Sequence, residues 1–261
     1  MSQTIPLRVI QISDLHLFAN PAQTLLGLAT FQSLTAVLTT IRQQRIDSDL
    51  LLMTGDLSQD ETPESYQYLR DLIAPLNLPT YWIPGNHDQP AIAASILETA
   101  AISPEKAVQI GNWQIILLSS QAFGKVHGEL SPETLNFLTQ QLQQFPQFPT
   151  LIALHHPPLD IGSDWMDRIK LQNPEALLAC LDDHPQVKLV VFGHIHQGFQ
   201  TSHNGVTYLG CPSTCVQFQP LAAEFTLDQM ATPGFRVLTL YPDGTFDTQV
   251  GRTTYPLPPL P

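Results

Sequence analysis

The chain is poor in positive charge. Of its 261 residues only 11 are lysine or arginine, against 23 aspartate or glutamate, for a net charge of −12. Such a surface repels polyanions and no basic stripe offsets it, so a nucleic acid polymer is excluded as a partner. A small phosphate ester is not excluded, because bound divalent cations invert the local sign. Cysteine is scarce as well. Cys180, Cys211 and Cys215 make an odd number with no repeated pair spacing, which argues against a disulfide framework and a cysteine zinc site alike. They read as packed or loop thiols of a reducing compartment. No apolar run approaches the roughly 20 residues that span a bilayer, so no membrane association is expected. Residues 1–6 lack the basic and apolar regions of a signal peptide, and a soluble cytoplasmic protein is expected. No internal repeat or long linker divides the chain. The expectation is a single domain over 1–254 and a Pro-rich tail, 255–261, as a loose arm.

What the chain does have is apolar residues, 43% of the total, enough for a large core. Many of them form short runs that stop at chemistry-bearing residues. Residues 50–54, Leu-Leu-Leu-Met-Thr, suit a strand buried on both faces and end at Gly55-Asp56. Such a strand end is where open α/β sheets hold their ligands. Four other runs end alike: 9–13 at Asp14-Leu15-His16, 80–83 at Gly85-Asn86-His87-Asp88, 151–154 at His155-His156-Pro157, and 188–192 at Gly193-His194-Ile195-His196. Asp14 and His16 lie two apart, as do His194 and His196. In extended chain each pair would face one side, about 7 Å apart at Cα. Asn86 offers an amide oxygen, and His87 an imidazole able to donate a proton near neutral pH. His155, nearest its strand end, is the better ligand candidate, which leaves His156 a supporting or substrate-contacting place. His127 reads as a structural loop histidine.

Between these runs the apolar spacing is helical. Phe31, Leu34, Val37, Leu38 and Ile41 predict a helix within 28–45, and Tyr66, Leu69, Leu72 and Ile73 one within 61–73. Further helices are expected over 89–100, over 131–144 behind Ser131-Pro132, and over 173–181. Residues 159–170 read as loop, with Trp165 either a lid or a hydrophobic anchor. Alternating strands and helices make a parallel α/β core. Gly111-Asn112, Asn204-Gly205 and Asp243-Gly244 mark hairpins that add antiparallel strands.

Asp14, His16, Asp56, Asn86, His155, His194 and His196 form a mixed oxygen and nitrogen donor set. It is too large for one tetrahedral zinc and suits two cations sharing a carboxylate, with Asp56 the natural bridge. Imidazole, carboxylate and amide together favour iron, manganese or zinc over calcium.

In this order the five blocks resemble the calcineurin-like metallophosphoesterases, over a span from residue 14 to residue 196. A further layer comprises residues 55–60 (Gly-Asp-Leu-Ser-Gln-Asp), His127-Gly128-Glu129-Leu130, residues 193–197 and residues 212–218. It is similar to the bacterial class III 3′,5′-cyclic-AMP phosphodiesterases. One departure stands out: where that subfamily usually shows three histidines before a proline, this chain has His155-His156-Pro157-Pro158. The change bears on substrate range or rate more than on the metals.

The resemblance implies a four-layer αββα sandwich, two mixed sheets flanked by helices, with two metal ions at the strand ends. The ions would be divalent or mixed-valence, iron or manganese or both, with zinc possible. Asp14, His16, Asp56 and His196 would hold one, and Asp56, Asn86, His155 and His194 the other. The implied reaction is hydrolysis of 3′,5′-cyclic AMP to 5′-AMP by a metal-activated hydroxide. Its catalytic residues would be Asp56 and His87, the latter protonating the 3′ leaving oxygen, and its substrate contacts His16, Asp56, Asn86, His87 and His196. Asp60 or Asp88 would orient His87. Phe218, Trp165 and the 121–128 loop are candidates for the nucleotide pocket. The same site could serve a broader phosphodiesterase acting on 2′,3′-cyclic nucleotides or other small diesters. A subunit that binds metal or nucleotide without turnover is disfavoured, because a pure binder needs no proton donor such as His87.

Overall fold

The computed structural model describes residues 5–44 and 46–257. Residues 1–4 and the last four of the expected tail lie outside them, as does Arg45 at the end of the expected first helix. In chain order the strands are β1 (Leu7–Ile12), β2 (Thr24–Leu25), β3 (Leu28–Ala29), β4 (Leu50–Thr54), β5 (Thr80–Ile83), β6 (Ile102–Ser103), β7 (Ala107–Ile110), β8 (Trp113–Leu117), β9 (Thr150–Ala153), β10 (Val187–Phe192), β11 (Phe199–His203), β12 (Val206–Gly210), β13 (Gly234–Leu240) and β14 (Phe246–Arg252). The helices are α1 (Thr30–Gln43), α2 (Pro63–Ile73), α3 (Pro90–Leu97), α4 (Pro132–Gln144), α5 (Asp164–Asp167) and α6 (Pro174–Asp182).

Two six-stranded mixed sheets stack face to face. The first runs β14-β13-β1-β4-β5-β6 and the second β11-β12-β10-β9-β8-β7. In the first, β1, β4, β5 and β6 are parallel, and β13 adds antiparallel to β1. In the second, β8, β9, β10 and β12 are parallel between antiparallel edges. Strand alternation assigns the apolar residues to layers. Leu51 and Met53 of β4 pack with Leu34, Val37, Tyr66 and Leu69 of the helices, whereas Leu50 and Leu52 face Leu151, Leu189 and Val191 of the other sheet. Ile152 and Val190 in turn meet Leu138, Leu142 and Leu177 of α4 and α6. A strand between two apolar layers must be apolar throughout, which is why β4 carries an unbroken run. Each such fully buried side chain contributes roughly 1.5–3 kcal/mol. The four expected layers are present.

Local signals set most boundaries. The Thr62 and Ser131 side chains cap α2 and α4, each with proline in the first turn. Three details differ from expectation. The small β2–β3 hairpin, with Leu26 and Gly27 at positive φ, takes Leu28 and Ala29 away from the first helix. The third helix stops at Leu97, and the 159–170 stretch contains the single turn α5. Runs of two to four residues carry no periodicity from which to read them.

The loops after β4 and β5 are clamped by one carboxylate. Asp88, 3% exposed, accepts from the main-chain N–H of Leu57, Ser58 and Gly85 and from the Tyr66 hydroxyl, all within 2.9–3.1 Å. The clamp fixes the start of both loops at once. Replacing Asp88 by Ala strands several buried donors at about 1–3 kcal/mol each, so a loss of at least ~3 kcal/mol is expected. Tyr66→Phe removes two bonds, the one its hydroxyl donates to Asp88 and the one it accepts from the Gln89 main-chain N–H at 2.9 Å, and is expected to cost about 1–2 kcal/mol. Urea denaturation of the two variants checks the contrast, and equal losses would refute the clamp.

Candidate metal centre

Five strands from two sheets end at one place. Asp14 and His16 follow β1, Asp56 follows β4, Asn86 and His87 follow β5, His155 follows β9, and His194 and His196 follow β10. The backbone there is not the extended chain expected for the two-apart pairs. Asp14, His16, Asp56, His194 and His196 have φ of 54°, 49°, 51°, 68° and 47°, the left-handed region that is uncommon outside glycine. Left-handed turns at alternate residues still bring each pair together, and they bury Leu15 and Ile195 between them in the two opposite helix-facing layers. Gly55, at φ +96°, gives the main chain the freedom to turn into Asp56. At Gly85 a Cβ would collide with the Asp56 carboxylate.

Hydrogen bonds orient the imidazoles from behind. His155 Nδ1 lies 2.7 Å from the Thr54 carbonyl oxygen, His196 Nδ1 2.9 Å from that of Val216, and His16 Nδ1 2.7 Å from Gln59 Oε1. In each case an oxygen accepts, so Nδ1 carries the hydrogen and Nε2 keeps its lone pair, the arrangement usual for histidines that bind metals. The Nε2 atoms then converge. His16 and His196 are 3.2 Å apart at Nε2; His196 is 3.5 Å from Asp14 Oδ1, His16 is 3.7 Å from Asp56 Oδ2, and His155 is 3.4 Å from the same Asp56 oxygen. Asn86 Oδ1, His155 Nε2 and His194 Nε2 are buried without a hydrogen-bond partner among the described residues. Buried lone pairs facing one another, beside orphaned acceptors, are what a pair of cations would satisfy. The donor set fits a dinuclear metal site.

The electrostatics agree. Burial lifts the Asp14 carboxyl to about 7, with His155 opposing the rise and the Asp56 carboxylate adding to it. Burial acts on Asp56 too, but attraction to His155 and then His16 holds it well below the usual carboxylate range. Burial disfavours the His155 imidazolium, yet the Asp56 carboxylate raises it to about 9. Desolvation drives His16 down to about 4 and His194 to about 3, and His196 far down as well. Without cations, one imidazolium balances the Asp56 carboxylate, and the His16, His194 and His196 rings are neutral, with lone pairs free.

Other candidates fall into place around this cluster. His87 lines an open cleft with His16, Asp56, Asn86, His194 and His196, and Val126, Trp165 and Phe218 form part of its apolar wall. Phe218 stacks on His196, with centroids 4.1 Å apart and planes 12° from parallel, and so backs that ring. The His156 ring lies beside those of His155 and His194, with centroids 4.8 and 4.7 Å away, but both its nitrogens are engaged: they meet the Ser120 hydroxyl and the Val126 carbonyl, tying down the 121–128 loop. His127 faces Glu129 at 3.4 Å. Neither acid expected to orient His87 touches it. Asp60 caps the Ala19 and Thr62 amides, Asp88 is the clamp described above, and Gln59 instead reaches His87. Gln59 carried no role in the sequence; its place three residues after Asp56, in the same short loop, was the available signal. Cys215, read as a plain packed thiol, lies with its sulfur near His16 and His196. Burial pushes that thiol up to about 12, outweighing a hydrogen bond from the Ser213 hydroxyl that works the other way, so it stays protonated.

Known proteins resemble this chain over most of its length. The family model described as calcineurin-like phosphoesterase matches residues 7–198. A 3′,5′-cyclic-nucleotide phosphodiesterase of Nostoc sp. is 48% identical over 258 residues, covering 99% of this chain and 97% of that protein. The 3′,5′-cyclic adenosine monophosphate phosphodiesterase CpdA of Escherichia coli is 47% identical over 94% of this chain and 89% of its own. Among solved structures, a dimetal phosphatase from Danio rerio superposes with a TM-score of 0.64 at 17% identity, covering 90% of this chain and 93% of its own. A purple acid phosphatase from yellow lupin gives 0.73 at 13% identity, covering 98% of this chain and 53% of its own, so both share the fold. With the motif blocks assembled on one seam and a family model spanning most of its length, the chain belongs to the calcineurin-like phosphoesterase family.

Proposed function

We propose that this chain hydrolyses 3′,5′-cyclic AMP to 5′-AMP at two metal ions. The observation that carries the proposal is the convergence of buried, outwardly unpaired lone pairs beside a cleft that His87 lines. Its support in kind is the near-half identity, over almost the full length, to proteins named for cyclic-nucleotide hydrolysis. Asp14, His16, Asp56 and His196 would hold one ion, and Asp56, Asn86, His155 and His194 the other, Asp56 belonging to both sets. The mixed donors favour iron or manganese, with zinc possible. When bound, such a pair lowers the pKa of a water towards neutrality and draws charge from phosphoryl oxygens.

The chain's own residues do the rest. The main-chain N–H of His87 donates to Asp56 Oδ1 at 2.9 Å, which sets the ring beside that carboxylate. From there His87 delivers a hydrogen to the 3′ oxygen as its bond to phosphorus breaks, and His16, Asp56, Asn86 and His196 line the floor where the phosphate sits. Trp165 and the Val126 edge of the loop shield the nucleoside side from water. We further read residues 1–254 as one catalytic domain, because β13 and β14, beyond the family match, complete the first sheet. No described helix is long and apolar enough to cross a membrane. With three free cysteines we place the chain in the cytoplasm, which cell fractionation checks.

Three outcomes are expected. Elemental analysis of chelator-free protein should find two metal ions per chain, and with Mn²⁺ the protein should prefer 3′,5′-cyclic AMP over 2′,3′-cyclic AMP and an aryl phosphodiester. Metal-loaded protein that turns over none of them would make it a binder instead. His87→Ala should lower kcat by about 10²–10⁴-fold, the usual worth of a general acid, with both metals retained. Loss of metal in that variant would show that His87 is a ligand. Removing the metals should lower the thermal midpoint in calorimetry, since a ligand at about 1,000 times its Kd contributes roughly 4 kcal/mol. An unchanged midpoint would mean that the lone pairs do not need a cation.

A further inference from the structure

Gln59 lies between two imidazoles of the site. Its Oε1 is 2.7 Å from His16 Nδ1 and its Nε2 is 3.2 Å from His87 Nδ1. The two rings meet edge to face, with centroids 5.1 Å apart. A carboxamide has one accepting end and one donating end, so it cannot offer the same end to both rings. His16 must keep its Nε2 lone pair for a cation, because that atom faces His196 Nε2 at 3.2 Å and Asp56 Oδ2 at 3.7 Å. Its hydrogen therefore sits on Nδ1 and faces the amide oxygen. The amide nitrogen is then committed to His87, whose Nδ1 has to accept. That leaves the His87 hydrogen on Nε2, on a ring that lines the cleft.

We infer that Gln59 is a positioning residue that sets the tautomer of His87 through the tautomer of His16. Whenever the cation site at His16 is filled, the ring facing substrate presents a donor and not a lone pair. The use of that donor rests on the phosphodiesterase reading; the hydrogen-bond relay does not. A carboxylate at this position would act differently, because both of its ends accept and it would draw a hydrogen to Nδ1 of both rings. The neighbouring acids are occupied elsewhere: Asp60 with Ala19 and Thr62, and Asp88 with the amides of Leu57, Ser58 and Gly85. Burial does not prevent substitution, since Gln59 is half-buried on a loop outside the core clusters.

The test reads histidine side chains by ¹⁵N NMR in the full chain loaded with diamagnetic zinc, as wild type, Gln59→Glu and Gln59→Leu, with His87→Ala assigning the signal. Wild type should show His87 bare at Nδ1 and protonated at Nε2. Gln59→Glu should move the hydrogen to Nδ1, and Gln59→Leu, which keeps the volume should the charged variant fail to fold, should give a mixture of tautomers. Both variants should keep two metals and lose kcat by about 10- to 100-fold with KM little changed, the usual effect of removing a residue that supports a metal ligand. A hydrogen on His87 Nδ1 in wild type, or an unaltered tautomer in both variants, would overturn the relay. If the relay appears but wild type cleaves no phosphodiester, the functional reading falls and the relay stands.

Discussion

Two carboxylates, Asp14 and Asp56, are buried at the seam of two sheets, 0% and 2% exposed. Everything else at that seam answers to them. An ionised carboxylate in such a place costs several kcal/mol unless charge of the opposite sign is close. Raised His155 supplies one such charge, and the remaining donors leave room for cations. The same requirement explains tolerance of strained backbone. Left-handed residues cost on the order of 1–3 kcal/mol each, and five of the donors adopt that conformation. They persist because cross-links fix them: Asp14 accepts the His194 N–H, the Ser213 hydroxyl donates to the Asp14 carbonyl, and Asp56 accepts the His87 N–H.

The centre belongs to neither sheet alone. The first sheet contributes Asp14, His16, Asp56 and Asn86, and the second His155, His194 and His196. The layer of Leu50, Leu52, Leu151, Leu189 and Val191 sets how far apart the two groups stand. Arg236 on β13 adds a polar tie, its buried guanidinium donating to the carbonyl oxygens of Phe199 and Gly210 on the second sheet. Packing between sheets is thus also the scaffold for ligand spacing, and a close-packed interior transmits a change of volume in one to the other.

Support for the donors is arranged behind them. Thr54 and Val216 carbonyls and the Gln59 amide hold three rings in one tautomer, and Phe218 backs His196 face to face. His156, for all its adjacency to His155, spends both ring nitrogens on the loop that borders the cleft. Neighbours in sequence therefore serve different purposes, one facing the cluster and one anchoring its rim.

Strand ends, the helices and the residues that gather at the seam were legible in the chain because each is a local signal. An apolar run bounded by Gly-Asp, a Ser-Pro cap or histidines two apart needs no knowledge of the rest of the fold. What the chain could not disclose is anything decided between distant segments. The left-handed turns at Asp14, His16, His194 and His196 replaced the extended geometry because the pairs must fit beside one another, a demand absent from either segment alone. Gln59, not Asp60 or Asp88, meets His87, because the acids are consumed by backbone donors that only the folded loops bring to them. Composition and periodicity determined which residues could bind metal and on which elements they ride. Tertiary packing alone decided which atoms face each other, since hydrogen-bond partners are chosen by distance in space and not by spacing along the chain.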